Sequence, residues 1–445
     1  MIKETIVLLT PFEDCSKHRL AKHIGYLVLP VLFNDCFYEP LQKIFSKVIV
    51  YDCLKRMVEI GVGGMNQEVI ELVGQKQPKY VLWAAFGEYY EITESTFEAI
   101  RKEGAQVVGW FFDDEVRFDY YSKWLVPYID YLVTNDSETV PKYKELGAWV
   151  THGIPDTGSA VQRDWSKVNE KYDVSFVGSM RADRRHYIKA LKDRNIPVIL
   201  FGEQWGRFVS YEEMKDIFAT SKINLNFSKT YKYMKSGIKG RIFKVCLAGG
   251  FLLTEYAPGI GKYYEIGKEI VCFQNSEEMI DKIVYYLNHD EERRAIAQAG
   301  WRRASSEHTS FHVVSRVFGE IETASSQGQK SNPEEIRMPT RIRRRVADYY
   351  FSWGRAFLVE NCKGLWGDAL TLSMSYYPRH IRARLCYIIG LSPPFIRPFL
   401  TKVYVAQEKL QPAILSWLAR VPYLRKIKRS LTTRWLRTSD QHNHN

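Results

Sequence analysis

DVSFVGSMRADRR, residues 173–185, is the stretch whose reading decides the fold of this chain. An apolar strand-like run at 174–177 passes through Gly178-Ser179 into a helical start carrying Asp183, Arg184 and Arg185. A strand, a short glycine turn and a helix form the entry to a parallel-sheet unit. The same alternation continues downstream. Strand-like runs recur at 197–201, 223–227, 251–254 and 269–273, with helical patterns at 183–192, 212–219, 242–247 and 277–287 and a polar helical run at 291–305. This predicts a doubly wound parallel α/β domain.

Upstream the pattern repeats. Strand-like runs at 5–10, 47–53, 80–86, 106–112, 131–134 and 149–152 alternate with helical patterns at 66–73, 95–102 and 139–146, and Gly104 and Gly147 stand where helix C-caps are expected. The polar stretch 155–172 reads as a linker or long crossing loop, and a second polar break covers 325–335. The expected organisation is a first α/β domain at 1–160, a second at 161–325 and a helical extension at 326–445. Prolines 378, 393, 394, 398, 412 and 422 cut that extension into short helices.

The 445 residues are 45% hydrophobic and 26% charged, which excludes a wholly disordered or collagen-like chain. The longest apolar run, 24–33, is interrupted by Gly25, Tyr26 and Pro30, so no membrane-spanning helix is expected. No basic-then-apolar leader opens the sequence, and no secretory signal is expected. Seven scattered cysteines without a Cys-x-x-Cys pair point to a reducing compartment and away from a zinc site; a cytoplasmic location is the expectation. Net charge is +12, but residues 331–445 carry 20 Lys and Arg against 7 Asp and Glu, leaving the rest of the chain near neutral. A basic extension on a near-neutral body suits an anionic partner.

In doubly wound folds ligands bind beyond the carboxyl ends of the strands. Three loops there carry candidate chemistry. Gly178, Ser179 and Arg184 could cradle a diphosphate, and taken alone the same residues read more readily as a tight turn with solvated arginines. Lys239, Gly240 and Arg241 follow Ser236-Gly237 and precede Ala248-Gly249-Gly250; they offer cations and a close backbone approach, or a plain helix start. Asp113 and Asp114 close a strand-like run and are read either as a general base pair or as helix caps. His308 and His312 share a helical spacing of four, with a structural role preferred over a metal role. His152 follows a strand and is a weaker cleft candidate. The run 61–64, Gly-Val-Gly-Gly, lacks dinucleotide-fingerprint spacing and reads as a turn, which weakens an oxidoreductase reading.

The run KGRIFKVCLAGGFLLTEYAPGIGKYYEIGKEIVCF (239–273), continued by SEEMIDKIVYYLNHDEERRAIAQAGWRRASSEHT (276–309), resembles the C-terminal domain of the CgeB-like (spore-maturation-type) glycosyltransferases, group 1 glycosyltransferases of GT-B fold. DVSFVGS, FGEQW (201–205), SKINLNFS (221–228), GWFFDDEVRF (109–118) and the YLVTND…YKELG pattern (131–147) fit the same family in the same order. The resemblance covers roughly residues 45–320. It implies two Rossmann-like domains facing a cleft, and transfer from a nucleotide-sugar donor without an obligatory metal or cofactor. By the same resemblance the donor diphosphate lies near Gly178, Ser179, Lys239, Gly240 and Arg241, and Glu255 lies near the nucleotide. The first domain would meet a glycan, lipid-linked or protein acceptor, as in bacterial surface-glycan assembly. Lys244 stands where relatives commonly carry glutamate, and Ser236 where a second acid lies; an ammonium donates where a carboxylate accepts. The alternative is therefore a catalytically degenerate GT-B protein that binds nucleotide or glycan, or acts as a scaffold.

The extension places arginines among aromatic and aliphatic residues at 341–346, 379–384, 425–429 and 434–437. Such helices suit the inner face of an anionic membrane. A solvated appendage is the bland alternative, and no nucleic-acid motif is present.

Overall fold

The structure, a computed structural model, describes residues 2–11, 33–85, 91–155, 157–165, 167, 169–180, 182–202, 205, 207, 209–229, 237–362, 365–392 and 396–406. Within the body of the chain lie two all-parallel sheets. The first contains β1 (Ile2–Thr10), β2 (Phe45–Asp52), β3 (Tyr80–Ala85), β4 (Gln106–Phe111), β5 (Tyr131–Thr134) and β6 (Val150–His152), in the order β2-β1-β3-β4-β5-β6. The second contains β7 (Tyr172–Val177), β8 (Ile199–Phe201), β9 (Ser221–Asn226), β10 (Leu252–Glu255) and β11 (Val271–Phe273), in the order β11-β10-β9-β7-β8.

Parallel neighbours need a crossover connection, which is why helices alternate with strands. Helices on both faces bury the strands on both sides, so Ile6, Val7, Leu8 and Leu9 are all fully enclosed. In each sheet the chain first moves to one edge and then jumps back. The strand order therefore reverses between β1 and β3, and again between β7 and β9. These reversals are the switch points at which crevices open beyond the strand ends.

The second sheet is covered on one face by helices Ala182–Asp193 and Ser276–Leu287, and on the other by Tyr211–Thr220 and Gly240–Leu247. Local chemistry fixes these starts. Ser210 Oγ accepts from the Glu213 amide (3.1 Å), and Asn275 Oδ1 accepts from Glu277 and Glu278 (3.1 and 3.0 Å). The expected caps Gly104 and Gly147 both take positive φ.

One finding refines the sequence reading and another departs from it. Residues 61–64 hold a break where the sequence reads a turn: two helical stretches within Cys53–Lys76 meet at Gly61 (φ 80°, ψ 173°), and Val62, Gly63 and Gly64 open the second. Helix Ser310–Ser326, which falls in the stretch 161–325 assigned by sequence to the second domain, buries Val314, Val317, Phe318 and Ile321 in the core of the first sheet. The polar stretch behind it is bound to the same sheet, with Ser331 donating to the Asp130 carbonyl and Asn332 to that of Gly147 (both 2.9 Å).

The outgoing segment 155–158 and the returning turn at Thr309-Ser310 are stitched together. Ser310 Oγ accepts from the Gly158 amide (2.8 Å) and donates to the Pro155 carbonyl (2.6 Å). The stretch 159–172 is likewise packed, as Trp301 Nε1 donates to Val161 (3.0 Å) and the Val161 amide to Leu247 (2.9 Å).

The described residues from 343 onward form a separate helical unit. Helices Thr340–Val359, Leu365–Tyr376 and Ile381–Leu391 supply it, with Phe351, Leu358, Leu370, Ala383 and Cys386 at its centre. Gly390 lies against Trp366 and Gly354 against Leu370, so closely that a Cβ at either would meet its neighbour at 2.5–2.6 Å. The basic clusters 425–429 and 434–437 lie outside the described residues. Among the described residues no helix is long and apolar enough to cross a membrane.

Candidate functional site

The carboxyl end of β7 is built around Gly178. A Cβ there would stand 2.7 Å from Arg241 Nη2, so the missing side chain is what lets the guanidinium settle onto the backbone. Arg241 is aimed by Asn226, which is fully buried at the end of β9: its Oδ1 accepts from Arg241 Nη1 (3.0 Å) while its Nδ2 donates to Thr254 Oγ1 (2.9 Å). Both groups lie at the β7/β9 switch point. Arg184, also buried, donates to the Ser179 carbonyl (2.8 Å) and Oγ (3.3 Å). The Arg184 and Arg241 guanidinium carbons each lie 5.5 Å from the centre of the Phe176 ring. The loop after β8 closes the turn, since Trp205 Nε1 donates to the Gly178 carbonyl (2.8 Å).

Gly240 opens helix Gly240–Leu247 with Lys239 as its N-cap residue. Two guanidiniums and a helix amino end thus converge near one glycine turn, an arrangement that favours an anion. Lys239 reaches the other way, into an ion pair with Glu115 in the turn after β4. Asp136, half-buried at the end of β5, faces this pair; burial raises its pKa against a hydrogen bond from the Glu138 amide, the charges of Glu115 and Glu138 add to the rise, and Lys239 opposes it.

Glu255 is buried at the end of β10. Tyr187 donates to its Oε1 (3.2 Å) and the Ser228 amide to its Oε2 (3.0 Å), while Ser228 Oγ donates to its carbonyl (2.7 Å). The carboxylate therefore ties the loop after β9 to β10.

The structure separates the two acids after β4. Asp113 takes a left-handed conformation (φ 54°, ψ 34°), which aspartate tolerates, and its half-exposed carboxylate lies 3.4 Å from Arg117 Nη2. Asp114 is enclosed: Ser122 Oγ donates to Oδ1 (2.6 Å) and Tyr143 Oη to Oδ2 (2.7 Å). Burial pushes its pKa up to about 6 against the pull of these hydroxyls. Of the pair, only Asp113 presents an accessible carboxylate.

His152 lies at the end of β6 with Nε2 3.3 Å from the Asn135 carbonyl, and burial lowers its pKa. His308 Nε2 bonds the Tyr263 carbonyl (2.9 Å), and His312 Nδ1 bonds Thr309 Oγ1 (2.7 Å), so each ring is used locally. Lys244 sits one turn beyond Arg241, with its ammonium 5.8 Å from the Tyr211 ring centre. Ser236 lies outside the described residues. Sequence reasoning missed Asn226, Glu115 and Asp136. Asn226 left a signal, a polar residue at the buried end of an apolar strand.

Residues 181–319 match the family model described as glycosyl transferase-like. Arg184, Lys239, Gly240, Arg241 and Glu255 all fall inside that match. The chain therefore carries a glycosyltransferase-like domain, and the matched residues lie on the second of its two Rossmann-like parallel sheets. Among solved structures it is similar to HepE of Anabaena in complex with UDP and glucose (13% identity, covering 73% of this chain and 100% of that one, TM-score 0.46). It is also similar to sucrose-phosphate synthase from Thermosynechococcus elongatus (7% identity, 74% and 100%, TM-score 0.46). An α1,3-fucosyltransferase with GDP-fucose is a third (13% identity, 72% and 90%, TM-score 0.40). No curated protein matches the chain in sequence.

Proposed function

We propose that this protein is a GT-B glycosyltransferase of the CgeB-like type, moving a sugar from a nucleotide-sugar donor to a glycan, lipid-linked or protein acceptor in bacterial surface-glycan assembly. The observation that carries this reading is the seating of Arg241 on Gly178, held by Asn226 at the switch point of the glycosyltransferase-like domain. Arg241 and Arg184, with the helix amino end at Gly240, would neutralise the diphosphate as the sugar–oxygen bond breaks. Lys239 would join them on release from Glu115. Asp113, at the end of β4 and open to solvent, is the carboxylate placed to accept the acceptor's proton, while Asp114 holds the turn that presents it. No metal or cofactor has a role in this scheme.

The test is thermal stabilisation of wild type and Arg241→Ala by UDP, GDP, CDP, dTDP and NAD. A ligand near 100 times its dissociation constant adds about 2.7 kcal/mol to stability. One nucleoside diphosphate should raise the melting temperature, with the rise abolished in Arg241→Ala; no response to any of them would overturn the donor site. A second reading, nucleotide binding without turnover, is favoured by Lys244, which puts an ammonium over Tyr211 where the family resemblance implies a carboxylate. Binding of a diphosphate without transfer or hydrolysis of the matching sugar nucleotide would select it.

A further inference from the structure

Helix Ile381–Leu391 buries Ala383, Cys386 and Gly390 in the helical unit's own core. Its opposite side is apolar as well. Ile381, Leu385 and Ile388 recur at helical spacing, and Leu391 extends the stripe; Ile381, Ile388 and Leu391 are 70%, 62% and 65% exposed. The following segment repeats the pattern with Ile396, Phe399 and Val403, of which Phe399 is 66% exposed. A soluble appendage would place polar residues at these positions.

The segment that carries this face has charges of one sign, while Asp348 of the neighbouring helix is paired with His380 (2.9 Å). Residues 379–406 contain Arg379, Arg382, Arg384, Arg397 and Lys402 and no Asp or Glu. Arg382 lies 4.9 Å above the Phe351 ring, at the flank of the stripe. Aliphatic and aromatic side chains outward with cations alongside are the pattern of a helix lying in a bilayer interface, its apolar side among acyl chains and its cations at headgroup phosphates. A second copy of this chain fits less well. An isologous contact would bring the cations of this segment towards their own equivalents, and the segment itself contains no acid to pair them.

We infer that Ile381, Leu385, Ile388, Leu391, Ile396, Phe399 and Val403 form a docking face for an anionic lipid bilayer. The inference rests on the helical unit alone and stands or falls independently of the donor site.

The experiment is vesicle co-sedimentation of the full-length protein with phosphatidylcholine alone and with a third phosphatidylglycerol. Wild type should sediment with the anionic vesicles only, less so at high salt as charges are screened. Leu385→Glu/Ile388→Glu should weaken binding by about tenfold or more, because carboxylates replace inserted aliphatic groups. The milder Leu385→Ser/Ile388→Ser should show the same direction with an unchanged melting temperature. Val284→Glu, an exposed apolar site on the body, should bind as wild type does. Failure of wild type to bind anionic vesicles, or equal binding by the stripe variants, would overturn the inference. So would a wild-type dimer that the stripe substitutions convert to monomer, which would assign the face to a second copy.

Discussion

Glu91 shows at the residue scale how burial becomes a measurable pH dependence. Its side chain is enclosed; Trp83 Nε1 donates to Oε1 (3.2 Å), and Oε2 meets no donor among the described residues. Burial raises its pKa from 4.5 to about 7. Over that interval the unfolded chain releases the proton first, so the folded state holds more protons and stability falls as pH rises. Above the interval the loss is complete, and below it absent. Glu91→Gln removes this dependence. The melting temperature of the variant relative to wild type should therefore climb by several degrees between pH 5 and pH 8. A constant difference across that range would show that the carboxyl does not titrate there. At this scale the sequence exposed only some of the chemistry. Gly178 and Arg241 were readable as a glycine turn and a nearby cation, but nothing in their spacing shows that the cation rests on the turn. The split between Asp113 and Asp114 was equally hidden, since it depends on Ser122 and Tyr143 arriving from elsewhere in the chain.

Helix Ser310–Ser326 makes the case for elements. Its apolar residues at 314, 317, 318 and 321 follow helical periodicity, so the helix itself is legible. Its partner is not, because periodicity reports that a face is buried and never against what. Phe318 packs edge-on against Phe45 and Tyr80, with centroids 5.0 and 5.9 Å apart. Phe318→Ala should cost about 3–5 kcal/mol, read as a lower denaturant midpoint at unchanged slope. A loss below 1 kcal/mol would mean that the site collapses around the cavity or that the helix contributes little. The strands were the most legible elements, because parallel strands buried on both faces appear as continuous apolar runs bounded by turns.

For the whole molecule, the ion pair between Lys239 and Glu115 joins the carboxyl ends of the two sheets. If Lys239 helps to hold a donor diphosphate, the donor must compete with Glu115 for it. Glu115→Gln should then lower the dissociation constant of the bound nucleoside diphosphate several-fold, and Lys239→Gln should raise it, both measured by calorimetry at fixed salt. An unchanged constant in Glu115→Gln would leave the pair a purely structural tie. No sequence pattern announces this contact, as its partners lie 124 residues apart.

Local order determined one part of this protein: two α/β units, the loops after their strands, and a basic helical extension follow from apolar periodicity, turn residues and charge. Those properties act between residues a few positions apart, so they survive in the linear text. The tertiary structure alone decided which of those loops meet. It set Arg241 on Gly178 through Asn226, buried Asp114 while leaving Asp113 open, returned residues 310–326 to the first sheet, and turned one apolar side of helix Ile381–Leu391 outward. Each of these depends on contacts between distant segments, whose pairing comes from the packing of whole sheets and helices and is encoded in no single stretch of sequence.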